Sequence, residues 1–443
     1  MMPLLEFFAK YSLVLFIFLL PIEARWIFDQ GMLGGDPWEY ITGSLYATDI
    51  LLFIAAIFTF WLGWKRNIHE TTSQKIVFPL ILIVGFGLIA VASMGDVADR
   101  KMGLFALQRL WEGILLWWVI QKNPLHLMTM AVLFVGSSVL EAVWGIEQFF
   151  FQIVPANSFL GEAFHSALNL GDSVIQTADG RFLRAYGTLP HPNVLGGMLS
   201  VAIFFVSTLL VWRHRQSTEH PASSRALTAL LWGGLIFLVF GLFFTFSRSA
   251  WIGTGVGLLF AGIWTGIVYP SARRVVFGIV FTVITSVIVL GIVFPESISR
   301  FSNQEPLETL SLSERVDEYG DVRTIAREHA ATGVGIGQYV KSLQGLHNNS
   351  PVWKVHPVHN IYLLVLAELG IIGLLVLLTI LAWHMSFVGH TSRPELIWAG
   401  AGIICLLVIG LFDHYLWSLH FGVLLFWLTL GIFYRFTGKA QAS

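Results

Sequence analysis

Residues 356–383, HPVHNIYLLVLAELGIIGLLVLLTILAW, decide how this chain is read. From Ile361 to Leu381 the only charged residue is Glu368. A run of that length is sufficient for the roughly 20 residues that cross hydrocarbon. The polar head HPVHN sits at its mouth. Pro357 suits the first position of a helix, where its missing N–H would be unpaired anyway. His356 is then expected at the cap and His359 in the first turn. There the positive end of the helix dipole disfavours imidazolium, so a neutral His359 near pH 7 is a candidate general base. A histidine pair that merely caps an interfacial helix is the plainer alternative.

The same pattern recurs along the chain. With 443 residues, 56% hydrophobic and 12% charged, the composition is far from the about 25% charged residues of soluble domains. Helices are expected, since lipid leaves no other partner for backbone polar groups. Hydropathy suggests about twelve spans, near 4–22, 47–64, 76–94, 103–121, 125–153, 191–212, 226–246, 249–269, 273–294, 358–384, 396–412 and 416–434. The expected fold class is an all-α polytopic membrane protein, one embedded domain over 1–443. Two long outer loops fall at 154–190 and 295–357. Within the second, SLSERVDEYGDVRTIAREHA reads as an amphipathic helix with Val316, Tyr319, Val322, Ile325 and Ala326 on its apolar face.

Charge sets the expected orientation. Lys65, Arg66, Lys75, Lys122, Arg213, Arg215, Arg225, Arg273, Arg274, Arg393, Arg435 and Lys439 share one side, taken as cytoplasmic with both termini. Net charge of −1 argues against bulk binding of nucleic acid. The single Cys405 excludes a disulfide framework and a thiolate metal site.

Other polar clusters stand at the outer mouths of spans. RAYGTLPHPN holds Arg184 and His191 before span six, with Pro192 in the expected first turn. TFSRSAW places Arg248 in a short joint between two spans, where an unpaired charge is costly and usually functional. FDHYLW holds Asp413 and His414. Helix N-termini and guanidinium forks together suit an anion, specifically a diphosphate. No compact metal-ligand set is evident in the outer loops. Asp29, Asp36 and Glu39 are the weaker alternative for a divalent ion. GVGIGQY (333–339) follows a helix, not a strand, so a dinucleotide reading fails; its glycines fit a tight turn. Glu112, Glu141, Glu147 and Glu368 are expected to pair inside the bundle.

These motifs resemble the O-antigen ligase and O-antigen polymerase superfamily. The likeness is carried by RAYGTLPHPN, TFSRSAWIG, ERVDEYGDVRTIAREHAATGVGIGQY, HPVHNIYLLVLAELGIIGLL and FDHYLWSLHFG, and spans about 181 to 434. It implies a membrane-embedded GT-C-type glycosyltransferase, inverting and independent of metal or other cofactor. The donor would be an undecaprenyl-diphosphate-linked glycan in the outer leaflet of a bacterial inner membrane. The acceptor would be lipid A–core in a ligase, or another lipid-linked repeat in a polymerase. By motif position the catalytic histidine falls on His359 or His356. The donor diphosphate falls to Arg184, Arg248, Arg315 and His191, with Asn360, Asp413 and His414 in support. A transporter of lipid-linked sugar is the rival from another class; it would need polar residues through the midplane rather than at one rim.

Overall fold

The structure is a computed structural model that describes residues 2–33, 35–66, 74–177, 180–219, 225–295, 306–347, 354–389, 391 and 393–438. Its helices are α1 (Met2–Leu19), α2 (Ala47–Arg66), α3 (Gln74–Ala92), α4 (Arg100–Lys122), α5 (Leu127–Phe151), α6 (Pro192–Glu219), α7 (Arg225–Phe244), α8 (Arg248–Val268) and α9 (Arg273–Val293). They continue with α10 (Pro306–Glu328), α11 (Tyr339–Leu346), α12 (Ile361–Ser386), α13 (Pro394–Ile409), the single turn α14 (Tyr415–Ser418) and α15 (His420–Gly438). Among the described residues, eleven helices are long and apolar enough to cross a membrane.

The expected eleventh span is different in kind. At 16 residues, α13 is about 24 Å long at 1.5 Å per residue, short of the about 30 Å of hydrocarbon. It packs against α6 and α8 and is buried almost throughout. Its own end-of-helix backbone groups therefore meet protein, not lipid. Small residues permit this contact: a Cβ on Gly253 would lie 2.8 Å from the Cys405 carbonyl, and one on Gly257 3.0 Å from the Ala401 carbonyl. The hub of the bundle is α6, whose apolar window is wholly buried, whereas only 28% of the α8 and α9 windows is covered. Lipid-facing surface thus lies at α8 and α9.

One end of the bundle gathers the termini and cations. Arg435 donates to the carbonyls of Ile120 (2.5 Å), near the end of α4, and Leu125 (2.8 Å), in the α4–α5 turn. Asn123 of that turn donates to Ala9 in α1. Nearby, Arg215 and Arg393 both reach the buried Glu395. Of the expected cytoplasmic cations, Lys439 lies outside the described residues.

The opposite end carries the chain's polar caps. Short antiparallel strand pairs form there, including Val174–Thr177 with Gly180–Leu183. The long segment 295–357, described except for 296–305 and 348–353, contributes α10 and α11. Its glycine loop enters a break in α12 at Gly370 (φ 65°). The Ala367 and Glu368 carbonyls accept from Val334 and Gly335 at 2.9 Å, and Ile371 N donates to Ala330 at 3.0 Å. The loop thereby satisfies backbone groups that the interrupted helix leaves open. Gly333 (φ 70°) and Gly370 approach so closely that a Cβ on either would strike the other segment's backbone. Span ten is therefore a broken helix, a feature its apolar sequence does not announce.

The expected apolar face of α10 is also out of phase. Val322 and Ile325 are buried, but Val316 and Tyr319 are exposed. The buried position one turn before Val322 belongs to Glu318.

The orientation is testable with single cysteines in a Cys405→Ala background, at exposed Val316 and at exposed Ser271 on the opposite end. An impermeant maleimide added outside intact spheroplasts is expected to label Val316→Cys and not Ser271→Cys. The reverse pattern would invert the assignment of faces.

Candidate active site

HPVHN is a loop, not the first turn of a helix. α12 starts at Ile361, and Asn360 is its N-cap, its side chain accepting from Tyr362 N (2.9 Å) and Leu363 N (3.1 Å). Asn360 thus has a structural task. His359 lies just outside the helix and is held by Glu318 of α10. One carboxylate oxygen, Oε2, accepts from His359 N at 3.0 Å; the other, Oε1, bonds His359 Nδ1 at 2.8 Å. His356 Nδ1 stands 3.6 Å from the same Oε1. The rings of His356 and His414 flank that of His359, with centroids 5.2 and 5.3 Å away.

The neutral His359 expected from the helix dipole is not what this geometry favours. Burial opposes its charged form, but the hydrogen bond and negative charge of Glu318, with Asp413 adding to them, hold its pKa above the ordinary value. Glu318 agrees: burial would raise it, yet the His359 contacts keep it below the usual carboxylate range. With Nδ1 committed to the carboxylate, Nε2 makes no hydrogen bond among the described residues and is the nitrogen left for chemistry.

The arginine side is built on the loop before α6. Arg184 follows the strand Gly180–Leu183 and is 5% exposed. Its Nε donates to the Thr245 carbonyl (2.7 Å) and Nη2 to Asn193 Oδ1 (2.6 Å). Asn193 in turn donates to Asp413 Oδ2 at 2.7 Å, and Asp413 Oδ1 accepts from His414 N at 2.9 Å. One side-chain amide thus ties the RAYGTLPHPN and FDHYLW motifs together. Burial pushes Arg184 down to about 10, still charged at neutral pH. Half its fork is used inside the fold, so an anion would meet Nη1.

His191 is more committed than expected. Its Nδ1 accepts from Asn193 N (3.1 Å) and its Nε2 bonds Ser173 Oγ (2.8 Å). Burial, then the Arg184 charge, push its pKa well down. Both nitrogens are engaged, which gives it a positioning role for this loop. His414, lowered by burial and by the flanking histidines, is likewise neutral, with Nδ1 on Ser418 Oγ at 2.6 Å. Arg248 is the first residue of α8 and part-buried. Arg315, one helical position from Glu314 on α10, lies close enough for its charge to act on both Arg248 and His359.

The expected site residues therefore converge at one end of the bundle, and two more join them, Glu318 and Asn193. Neither was singled out in the sequence: Asn193 lay inside a quoted motif, and Glu318 on a helix whose phase was misjudged. Glu318, His356 and His359 also offer ligand atoms within 4.8 Å of one another. A cation there would have to displace the Nδ1–Oε1 bond. The weaker metal alternative fares differently: Asp29 pairs with Lys101 (2.8 Å), Glu39 pairs with Arg25, and no metal-ligand grouping among the described residues includes either or Asp36. Of the intramembrane carboxylates, Glu141 accepts from Thr188 and Glu368 from Trp417, but Glu147 is exposed.

Residues 233–378 match the family described as O-antigen ligase. The likeness to that family covers these 146 of the chain's 443 residues. The matched stretch contains Arg248, Arg315, Glu318, His356 and His359; Arg184, His191, Asp413 and His414 lie outside it. None of the curated proteins matches the chain.

The Asn193 relay is testable. Asn193→Ala leaves a buried guanidinium and a buried carboxylate each short of a partner, at a cost of about 1–3 kcal/mol. Thermal unfolding in detergent is expected to fall to lower temperature and lipid-diphosphate binding to weaken. Unchanged melting together with unchanged binding would show that Arg184 is held by other means.

Proposed function

We propose that this protein is an O-antigen ligase, moving a glycan from undecaprenyl diphosphate to a hydroxyl of lipid A–core. Transfer takes place at the periplasmic face of the inner membrane. The observation that carries the reading is the Glu318–His359 pair beside Arg184, Arg248 and Arg315: a base with a fixed tautomer next to cations suited to a diphosphate.

The acceptor O–H gives its proton to His359 Nε2 as its oxygen attacks the anomeric carbon. The new C–O bond forms as the bond from that carbon to the diphosphate oxygen breaks, on the opposite face of the sugar, which inverts the anomeric configuration. Glu318 stabilises the imidazolium that results, as an orienting carboxylate does for a histidine base. The electron pair of the broken bond stays with the diphosphate, whose added charge falls to the arginines. Because those cations neutralise the leaving group, the transfer step needs no metal. His356 and His414 flank the base and position it. A cavity of about 450 Å³ lined by Glu314, Asp317, Glu318, Asp321, Lys354 and His356 offers the acceptor sugar a polar approach to this side of the base.

Polymerisation of lipid-linked repeats is the second reading, favoured by the same donor site. Purified protein given a defined lipid-diphosphate glycan separates the two by its acceptor, lipid A–core or a second lipid-linked repeat. His359→Ala is expected to lose about 10²–10⁴-fold in turnover while still binding donor. Arg248→Ala is expected to weaken donor use, with Arg248→Lys recovering only part because the planar fork is gone. Near-normal turnover by His359→Ala with an inactive His356→Ala would move the base to His356. Transfer to neither acceptor, with lipid-linked glycan crossing the bilayer instead, would favour a transporter.

A further inference from the structure

A second polar cluster lies on the other side of the α14 turn, where the transfer chemistry has no use for it. Asp49 near the start of α2, Glu112 in α4 and His420 at the start of α15 are all buried and offer ligand atoms within 4.8 Å of one another. Their side chains line a small cavity of about 10 Å³ with Thr42, Ser44, Gln108 and Arg109, room for one water or ion. Two oxygens there are left over. Asp49 Oδ1, in a residue 0% exposed, accepts no hydrogen bond, and neither does Ser44 Oγ. Orphaned buried oxygens of this kind need an explanation.

We propose that this cluster is a structural site for a divalent transition-metal ion, with zinc the best match. His420 Nε2 and Asp49 Oδ1 are 3.4 Å apart. Metal–ligand lengths of about 2.0–2.1 Å place two tetrahedral zinc ligands about 3.3–3.4 Å apart. The other ring nitrogen, Nδ1, faces Glu112 Oε2 at 3.6 Å. A carboxylate on the far nitrogen is the usual partner of a metal-bound histidine. Glu112 is itself oriented by Gln108, which donates to Oε1 at 2.8 Å. Tyr46 stacks on the imidazole, centroids 3.8 Å apart at 7°, and fixes the ring plane. The ion takes the place of the proton now shared between Nε2 and Thr48 Oγ1, 3.1 Å apart, and draws its remaining ligands from Ser44 Oγ and water.

Charge supports the assignment. The carboxylates whose fields meet here are Glu23, Glu39, Asp49 and Glu112; the guanidiniums are Arg25 and Arg109. A divalent ion here would face four carboxylates and two guanidiniums. The site is linked to the transfer centre through Arg109, which donates to the Ser418 carbonyl at 2.7 Å while Ser418 Oγ bonds His414. An ion that fastens α2, α4 and α15 would thus fix the turn that carries Asp413 and His414, without entering the reaction.

The test is metal content, independent of activity. Full-length protein stripped with chelator and titrated with Zn²⁺ against a chromogenic chelator is expected to take up one ion per chain and to melt at a higher temperature. Asp49→Asn and His420→Gln are expected to abolish that uptake, and Glu112→Gln to weaken it about 10–100-fold. His359→Ala is expected to bind as wild type, which separates this cluster from Glu318, His356 and His359. If the ligand variants fold poorly, wild-type stoichiometry and Glu112→Gln still decide. No uptake of Zn²⁺ or Mn²⁺ by wild type, unaltered uptake by Asp49→Asn and Glu112→Gln, or loss in His359→Ala would overturn the proposal.

Discussion

A buried carboxylate must be paired, and the pairing of Glu318 organises the end of the bundle that carries the polar caps. α10 lies outside the spans and has little apolar surface to hold it in place. Among the described side chains of α10, the buried ones are Glu318, Val322 and Ile325. Apolar contacts such as those of Val322 and Ile325 leave register and rotation poorly fixed. The carboxylate grips the backbone and ring of His359 together, so α10 can dock in only one way without leaving a charge unpaired, a costly outcome. The glycine loop that follows is keyed into the break in α12 by backbone hydrogen bonds. These two fastenings bring a helix 41 residues upstream to the mouth of the span that carries the histidines.

The remaining charges follow the same logic of burial and exchange. Arg184 and Asp413 are both nearly out of reach of solvent, yet they share Asn193 instead of touching. A direct ion pair would quench the cation; an amide between them satisfies each while leaving one guanidinium edge for a ligand. His191 and His414, adjacent to this charge, are driven neutral and serve as hydrogen-bonding scaffold. His359, with its own carboxylate, is instead held above the ordinary value. Three histidines of one chemical type are thereby pushed in different directions by their neighbours alone.

Much of this was legible in the sequence, and the failures have physical causes. Long apolar runs broken by polar mouths give the spans directly, because lipid permits little else. The motifs around Arg184, Arg248, His359 and Asp413 stand out because charge is scarce. Glu318 was hidden because the helical period on α10 was phased on Val316 and Tyr319, which face outward; a buried acid can take an apolar position when a histidine awaits it. The start of α12 was misplaced because Pro357 is equally at home in a loop, and Asn360 is the stronger cap. The break at Gly370 has no hydropathy signature. Asp49, Glu112 and His420 come from three separated helices, so no local pattern joins them.

The pH dependence of turnover tests the Glu318–His359 pair most directly. In the proposed mechanism His359 takes up the proton in its neutral form, so turnover is expected to fall as pH drops through its pKa. Since Glu318 holds that pKa above the ordinary value, the acid limb of wild type is expected above about 6.5. In Glu318→Gln the carboxylate charge is gone; the limb is expected to move to lower pH and the plateau rate to fall. An acid limb that stays in place, or moves to higher pH, while Glu318→Gln keeps wild-type turnover would contradict the account.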